Sequence, residues 1–318
     1  MKNFAIIGAS GYIAPRHMEA IKETNNELIA AFDPYDGIGI MDSYFPDSRF
    51  FKEFERFDRF IDKWHRSKEL SIDYISITSP NYLHDAHIRF ALKSNCDVIC
   101  EKPLVLNPHN IDQLILIEKE TGKRVNTILQ LRLHPSIIDL KNRVLSELKK
   151  NPDKIFDIDL TYITSRGKWY LYSWKGDESK SGGIATNIGI HFFDMLNWIF
   201  GPIKKSFVHV KSKDTNAGIL NFKNANVRWF LSINKKYLPD KIKKSKVRTY
   251  RSMKVGKKEV EFSTGFKDLH IESYKKILSK DGFGLQDSFN SIETVSIIRN
   301  QNLSPLKDDY HPFIKKII

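Results

Sequence analysis

The chain has 318 residues, a formal net charge of +13 and a hydrophobic fraction of 41%, with 21 Phe, 12 Tyr and 5 Trp. That length exceeds what one core usually supports and the aromatic supply suffices for two, so a two-domain globular protein is expected and a disordered or fibrous chain is excluded. Cys96 and Cys100 share one strand-like run and cannot readily bridge each other, which suits a reducing cytoplasm.

The apolar opening, residues 1–7, is interrupted by Gly8 and Ser10 with no small-residue cleavage site after it. No stretch approaches the roughly 18 apolar residues of a membrane span, so a cytoplasmic protein with at most peripheral membrane contact is expected. The Lys-rich stretch from Lys235 to Lys258 permits a nucleic-acid reading. No helix-turn-helix, zinc or RNA-binding signature accompanies it, so no nucleic-acid partner is expected; a basic surface would instead draw in small anions.

In chain order, residues 3–7 form a short buried strand that runs into Gly8, Ala9, Ser10, Gly11, Tyr12, Ile13 and Ala14, then a helical pattern through Ile21. Strand, glycine turn and helix make the arrangement that receives a pyrophosphate on free N–H groups, because a side chain in the turn would block the approach. The spacing G-x-x-G-x-x-A departs from the usual fingerprint, and two glycines also serve tight turns for steric reasons alone. The next strand, Leu28 to Phe32, ends at Asp33, whose carboxylate suits the ribose hydroxyls of NAD and repels the extra phosphate of NADP.

Residues 54–68 read as a helix with Phe54, Phe57, Ile61 and Trp64 on one face, followed by a strand from Asp73 to Thr78. Ser79, Pro80, Asn81 and His84 follow that strand end, where open α/β sheets bind ligands, and a helix runs from His87 to Lys93. The strand Val98 to Cys100 delivers Glu101, Lys102, Pro103 and Leu104. A helix after Pro108 and a strand from Val125 to Leu131 close the domain, with Gln130 near its end. This rhythm implies a doubly wound parallel sheet.

Glu101-Lys102-Pro103 at that strand end, together with the run Gly183-Ile184-Ala185-Thr186-Asn187-Ile188-Gly189-Ile190-His191-Phe192-Phe193-Asp194, resembles the Gfo/Idh/MocA family of nicotinamide-dependent sugar oxidoreductases and its signature G-x-x-x-D-x-G-x-H-x-x-D. The segments from Gly8 to His17, Thr161 to Tyr170 and Tyr172 to Asp177 look like one branch of it, the UDP-N-acetyl-2-amino-2-deoxyglucuronate 3-dehydrogenases of lipopolysaccharide and O-antigen sugar biosynthesis. These make a 3-keto sugar that an aminotransferase later aminates. The resemblance implies an α/β protein: an N-terminal Rossmann domain, residues 1–132, then a C-terminal α+β domain, residues 133–318, with an open, mostly antiparallel sheet for substrate binding and a homotetramer. Alternating stretches at Phe156 to Thr164, Lys205 to Lys213, Ala217 to Phe222, Val227 to Ile233 and Met253 to Phe262 agree as strands, and the last helix has the option of returning to the first domain.

Taking a hydride from a secondary alcohol leaves a proton on oxygen, so the site needs a base and a cation. His191 suits the first role and Lys102 the second, although a desolvated Lys102 could itself be the base. Asn187 stands where the family carries Asp; it can orient by hydrogen bonds but cannot take a proton. Arg166, Trp169, Tyr170, Trp174 and Lys175 suit an anionic, sugar-like ligand, with Tyr162, His270 and Tyr274 as further candidates. The expected cofactor is NAD, contacted by Gly8, Ser10, Gly11, Tyr12, Ile13, Asp33, Ser79, Pro80, Asn81, His84, Glu101, Lys102 and Gln130; the expected ligand is a UDP-sugar. No metal is expected, since His84 and His87 have no third ligand nearby. An inositol or other free sugar, or a non-catalytic NAD-binding protein, remain the alternatives, and whether 2-oxoglutarate reoxidises the cofactor in place is open.

Overall fold

The computed structural model describes residues 1–67, 71–245, 247–260, 262, 268–307 and 309–317. The chain divides into two compact units, Met1–Gln130 with Lys267–Phe289, and Leu131–Phe266 with Asn290–Ile318. The first unit is built on six parallel strands, β1 (Asn3–Ile7), β2 (Glu27–Phe32), β3 (Arg49–Phe51), β4 (Tyr74–Ile77), β5 (Asp97–Cys100) and β6 (Val125–Thr127), in the order β3-β2-β1-β4-β5-β6. The order reverses beside β1, which makes the carboxyl ends of β1 and β4 a switch point where a ligand can enter. Because helices cover both faces of a parallel sheet, its central strands are continuous apolar runs: Phe4, Ala5, Ile6, Ile7, Ile75 and Ile77 are all fully buried.

Helices Ala14–Glu23, Ile38–Tyr44, Phe54–Ser67, His84–Lys93 and Pro108–Thr121 link these strands. The helix expected over 54–68 ends in the structure at Ser67, residue 68 lying outside the described residues. The strand expected from Val125 to Leu131 stops at Thr127, because the chain turns at Gln130–Leu133 into a 3-10 turn. Helix Leu269–Leu278 belongs to this unit and packs on helix Ala14–Glu23.

The second unit carries β7 (Phe156–Thr164), β8 (Lys205–Lys211), β9 (Thr215–Asn221), β10 (Ala225–Ser232), β11 (Thr249–Val255) and β12 (Lys258–Val260), ordered β12-β11-β7-β10-β9-β8. Only β7 and β10 pair in parallel; every other neighbour is antiparallel. The single strand expected from Met253 to Phe262 is instead a hairpin, since Gly256, at φ 57°, turns the chain back and pairs Val255 with Lys258; residue 261 lies outside the described residues. Helices Pro135–Lys150 and Ile190–Phe200 pack together in this unit, and residues 309–317 cover part of the sheet, where Tyr310, Phe313 and Ile314 join Ile163, Phe230 and Tyr237.

Candidate functional site

The glycine turn of the first unit is built by close approach. A Cβ on Gly8, whose φ is +95°, would lie 2.6 Å from the backbone nitrogen of Ser79, so the turn after β1 and the turn after β4 touch backbone to backbone. Thr78 fastens the same junction by donating its hydroxyl to the carbonyls of Ile7 and Gly8, at 3.0 and 2.9 Å. Beyond it, the N–H groups of Tyr12 and Ile13 find no acceptor among the described residues, just ahead of helix Ala14–Glu23. Orphan N–H groups at a helix start are what a pyrophosphate takes up.

Asp33 accepts the N–H of Ser10 on Oδ2 at 3.0 Å and that of Tyr35 on Oδ1 at 2.9 Å. Each oxygen keeps a lone pair for a ribose hydroxyl. Ser10 also donates its hydroxyl to the Tyr35 carbonyl, which ties the turn after β1 to the turn after β2. Gly11 and the exposed Tyr12 complete this cradle, and its geometry fits a dinucleotide.

Two of the expected cofactor contacts are spent inside the protein. His84 is 1% exposed and lies 2.7 Å from the Pro103 carbonyl and 2.9 Å from the Ser79 carbonyl, so it ties the two strand-end turns to each other. Burial lowers its pKa, against the pull of those carbonyls. Glu101 is buried and fully engaged: Oε1 accepts from His17 at 3.1 Å and from His270 at 2.9 Å, while Oε2 accepts the N–H of Lys102. Burial alone would raise its pKa, but the two imidazoles outweigh that and hold it well below the usual carboxylate range.

The network continues outward from Glu101. Burial lowers the pKa of His17, against the pull of Glu101, and the ring bridges the network, with Nε2 at Glu101 and Nδ1 2.8 Å from the Tyr274 hydroxyl. Tyr274 in turn lies 2.7 Å from the Ser76 hydroxyl. His270 and Tyr274, expected at a sugar, are therefore interior groups of the first unit, 2% and 0% exposed, brought to Glu101 by helix Leu269–Leu278. His17, Glu101 and His270 also hold three metal-type ligand atoms within 4.8 Å. Sequence reasoning missed this cluster because its members lie 84 and 169 residues apart.

Of the other first-unit candidates, Lys102 is half-buried and lies two residues beyond the end of β5. The hydroxyl of Ser79 meets Nδ1 of His87 at 2.9 Å, Pro80 is extended, and Asn81 begins a short turn into helix His84–Lys93. Gln130 is buried, and its side-chain oxygen Oε1 has no hydrogen-bond partner among the described residues.

In the second unit, His191 stands in the first turn of helix Ile190–Phe200, directly after a π-helical turn over Ala185–Gly189. Such turns break the regular ladder and recur at functional sites. Gly189 permits it: a Cβ there would lie 2.5 Å from the Leu231 side chain on β10. Asp194, one turn after His191, forms a buried two-pronged pair with Arg132 at 3.0 and 2.7 Å, which fixes the helix that carries His191.

Asn187 donates its amide to the hydroxyl of the buried Tyr170. Burial raises the Tyr170 pKa, with Arg166 and Tyr162 near enough to act on it. Tyr162 packs on Phe192, the residue after His191, at a ring separation of 4.8 Å. Lys175 lies 4.4 Å from the Trp174 ring and 5.6 Å from that of the half-exposed Trp169, and Arg166 is exposed at the end of β7. Arg132 and Asp194 thus act as helix anchors. Arg251, which reading of the sequence passed over, emerges opposite Tyr162 only through strand register.

Comparison with known proteins follows the same division. A family model described as an oxidoreductase family with an NAD-binding Rossmann fold (GFO_IDH_MocA) matches residues 2–128, and its C-terminal alpha/beta domain matches residues 153–242. The WlbA (WbpB) dehydrogenase of Thermus thermophilus, solved with NAD and alpha-ketoglutarate and with NAD and UDP-GlcNAcA, is 47% identical. It aligns over 98% of this chain and 100% of its own, with a TM-score of 0.93. The WlbA dehydrogenase of Bordetella pertussis shares the fold at 17% identity, over 96% of this chain and 98% of its own, with a TM-score of 0.75. Glucose-6-phosphate 3-dehydrogenase of Bacillus subtilis is 26% identical over 205 residues, 63% of this chain and 54% of that protein. The chain spans about half the length of the curated relatives it matches, 47% and 54% of two of them.

Proposed function

The chain belongs to the Gfo/Idh/MocA family of oxidoreductases, and on that premise we propose that it oxidises the C3 hydroxyl of UDP-N-acetyl-2-amino-2-deoxy-D-glucuronate to the 3-keto sugar, using NAD. The observation that carries the substrate is the 47% identity, over 98% of the chain, to a dehydrogenase solved with NAD and UDP-GlcNAcA. The first unit is an NAD-binding Rossmann domain, and the nicotinamide supplies the hydride acceptor.

The chain's own residues do the rest. Gly8, Ser10, Gly11, Tyr12 and Ile13 hold the pyrophosphate, Asp33 accepts from the adenosine ribose, and Ser79, Pro80, Asn81 and Gln130 line the cofactor's course past β4 and β6. Lys102 holds the reacting hydroxyl and stabilises negative charge as it develops on oxygen. His191 takes the proton as the hydride leaves C3, which balances the oxidation. Asn187 cannot share that proton, so it orients, with Tyr170 and Tyr162, while Arg166, Trp169, Trp174 and Lys175 take the uridine diphosphate.

The same kinship supports a homotetramer working in the cytoplasm on lipopolysaccharide and O-antigen sugars. A 2-keto acid is the candidate for reoxidising the cofactor in place, since the Thermus neighbour was solved with NAD and alpha-ketoglutarate. Incubating the protein with NAD and UDP-GlcNAcA tests the reading: NADH and a 3-keto product are expected, with 2-oxoglutarate sustaining turnover. Absence of both products would overturn it. Calorimetry with UDP separates the free-sugar alternative, because an inositol dehydrogenase has no site for the nucleotide.

A further inference from the structure

We propose that Arg251 is the specificity-determining residue that recognises the substrate's carboxylate, so that the second unit selects a uronic acid over the neutral sugar. The inference rests on the nucleotide-sugar reading above and adds to it the residue that reads the acid. In the antiparallel register of β7 and β11, Arg251 stands directly opposite Tyr162, and residues so paired project from the same face. The guanidinium carbon lies 5.4 Å from the centre of the Tyr162 ring. That ring packs on Phe192 at 4.8 Å, and Phe192 follows His191 on the same helix. A fixed cation is therefore one aromatic layer from the residue after His191.

An aromatic face occupies the plane of a guanidinium and leaves its edge to hydrogen-bond acceptors. The edge carries five N–H donors, more than one protein neighbour uses, in a fork that matches a carboxylate. Tyr170 adds a neutral donor to the same neighbourhood. Its oxygen already accepts from Asn187, and its own proton has no acceptor among the described residues. Arg166 differs: it is exposed, forms no ion pair among the described residues and follows the end of β7. The more exposed cation suits the diphosphate, and the packed one suits an acid on the sugar ring.

A neutral hexose offers the Arg251 fork no carboxylate to receive. Sites built to hydrogen-bond a substrate group reject analogues that lack it far more strongly than apolar pockets reject a missing methylene. The test is calorimetric titration of the NAD-loaded protein with UDP-GlcNAcA, UDP-GlcNAc and UDP, for the wild type, Arg251→Gln and Arg251→Lys. The wild type is expected to prefer the acid over UDP-GlcNAc by roughly 30- to 100-fold, and Arg251→Gln to reduce that ratio to within about threefold. Affinity for UDP should be unchanged, which also shows that the variant is folded, and Arg251→Lys should recover part of the ratio. Equal losses for the acid and UDP would mean that Arg251 reads the diphosphate and would overturn the proposal, as would an unaltered ratio in Arg251→Gln. A wild type that binds UDP without preferring the acid refutes the role of Arg251 alone; one that binds none of the three ligands refutes the nucleotide-sugar reading with it.

Discussion

Lys102 and His191 are held by different physics. The turn that carries Lys102 is fixed by charge: a buried carboxylate accepts two imidazole N–H groups and the Lys102 amide, and those imidazoles come from helices far apart in the chain. The helix that carries His191 is held by one buried ion pair, Arg132 with Asp194, and otherwise by shape, through the close approach of Gly189 to Leu231 and a π-helical turn. Charge networks fail steeply when one partner is lost, because the remaining charge stays buried. Packed supports fail in proportion to the volume removed.

The largest expected effect tests the functional halves of that contrast. Lys102→Met and His191→Ala should each lower kcat by roughly two to four orders of magnitude, with NAD affinity, followed by fluorescence, unchanged; normal turnover in either variant removes that residue from the chemistry. His270→Leu comes next, since it strips Glu101 of a donor and should cost about 3 kcal/mol in urea unfolding. His270→Gln, which can still donate, should cost about half as much. Equal losses in the two variants would mean that volume, not charge, supports the Lys102 turn.

A pH titration sharpens the comparison from the second unit. His311 stacks on Phe230, and its Nδ1 accepts the N–H of Phe313, so its proton sits on Nε2 and is shared with the Thr161 hydroxyl at 3.0 Å. Burial lowers its pKa to about 4. Because the folded value lies below the unfolded one near 6.5, its contribution is fully present above about pH 6.5 and is lost as pH falls toward 4, amounting to roughly 2–3 kcal/mol. Tm should fall across that window, and less so in His311→Gln; parallel curves would remove His311 as the cause. The smallest effect is at Asp33: Asp33→Ser should shift the preference for NAD over NADP by about tenfold, or about 1.4 kcal/mol, in favour of NADP. An unchanged preference would place ribose recognition elsewhere.

Much of this architecture was legible in the residues. Central strands β1, β2, β4 and β5 announce themselves because a sheet covered on both faces needs unbroken apolar runs. The second sheet is readable where buried and more exposed residues alternate, as at the start of β7. The three-residue β3 was not, because so short a run carries no period, and the β11–β12 hairpin hides in one hydrophobic stretch that Gly256 breaks. In the site, Asp33 and the glycine turn follow from their places at strand ends, whereas Lys102 and His191 stand out only through the resemblance of their segments to the family's motifs. His17, His270 and Tyr274 could not be placed, since nothing local to them reports the strand end they support. Arg251 needs the β7–β11 register, which neighbouring residues do not determine.

We propose that the Lys102 ammonium and the His191 imidazole serve one sugar hydroxyl. A crystal structure of the protein with NAD and UDP-GlcNAcA bound tests it most directly. The account predicts Lys102 Nζ and a ring nitrogen of His191 each within about 3.2 Å of the C3 oxygen, with the nicotinamide over C3. A C3 oxygen out of reach of both side chains, or a different ring carbon facing the nicotinamide, would contradict it.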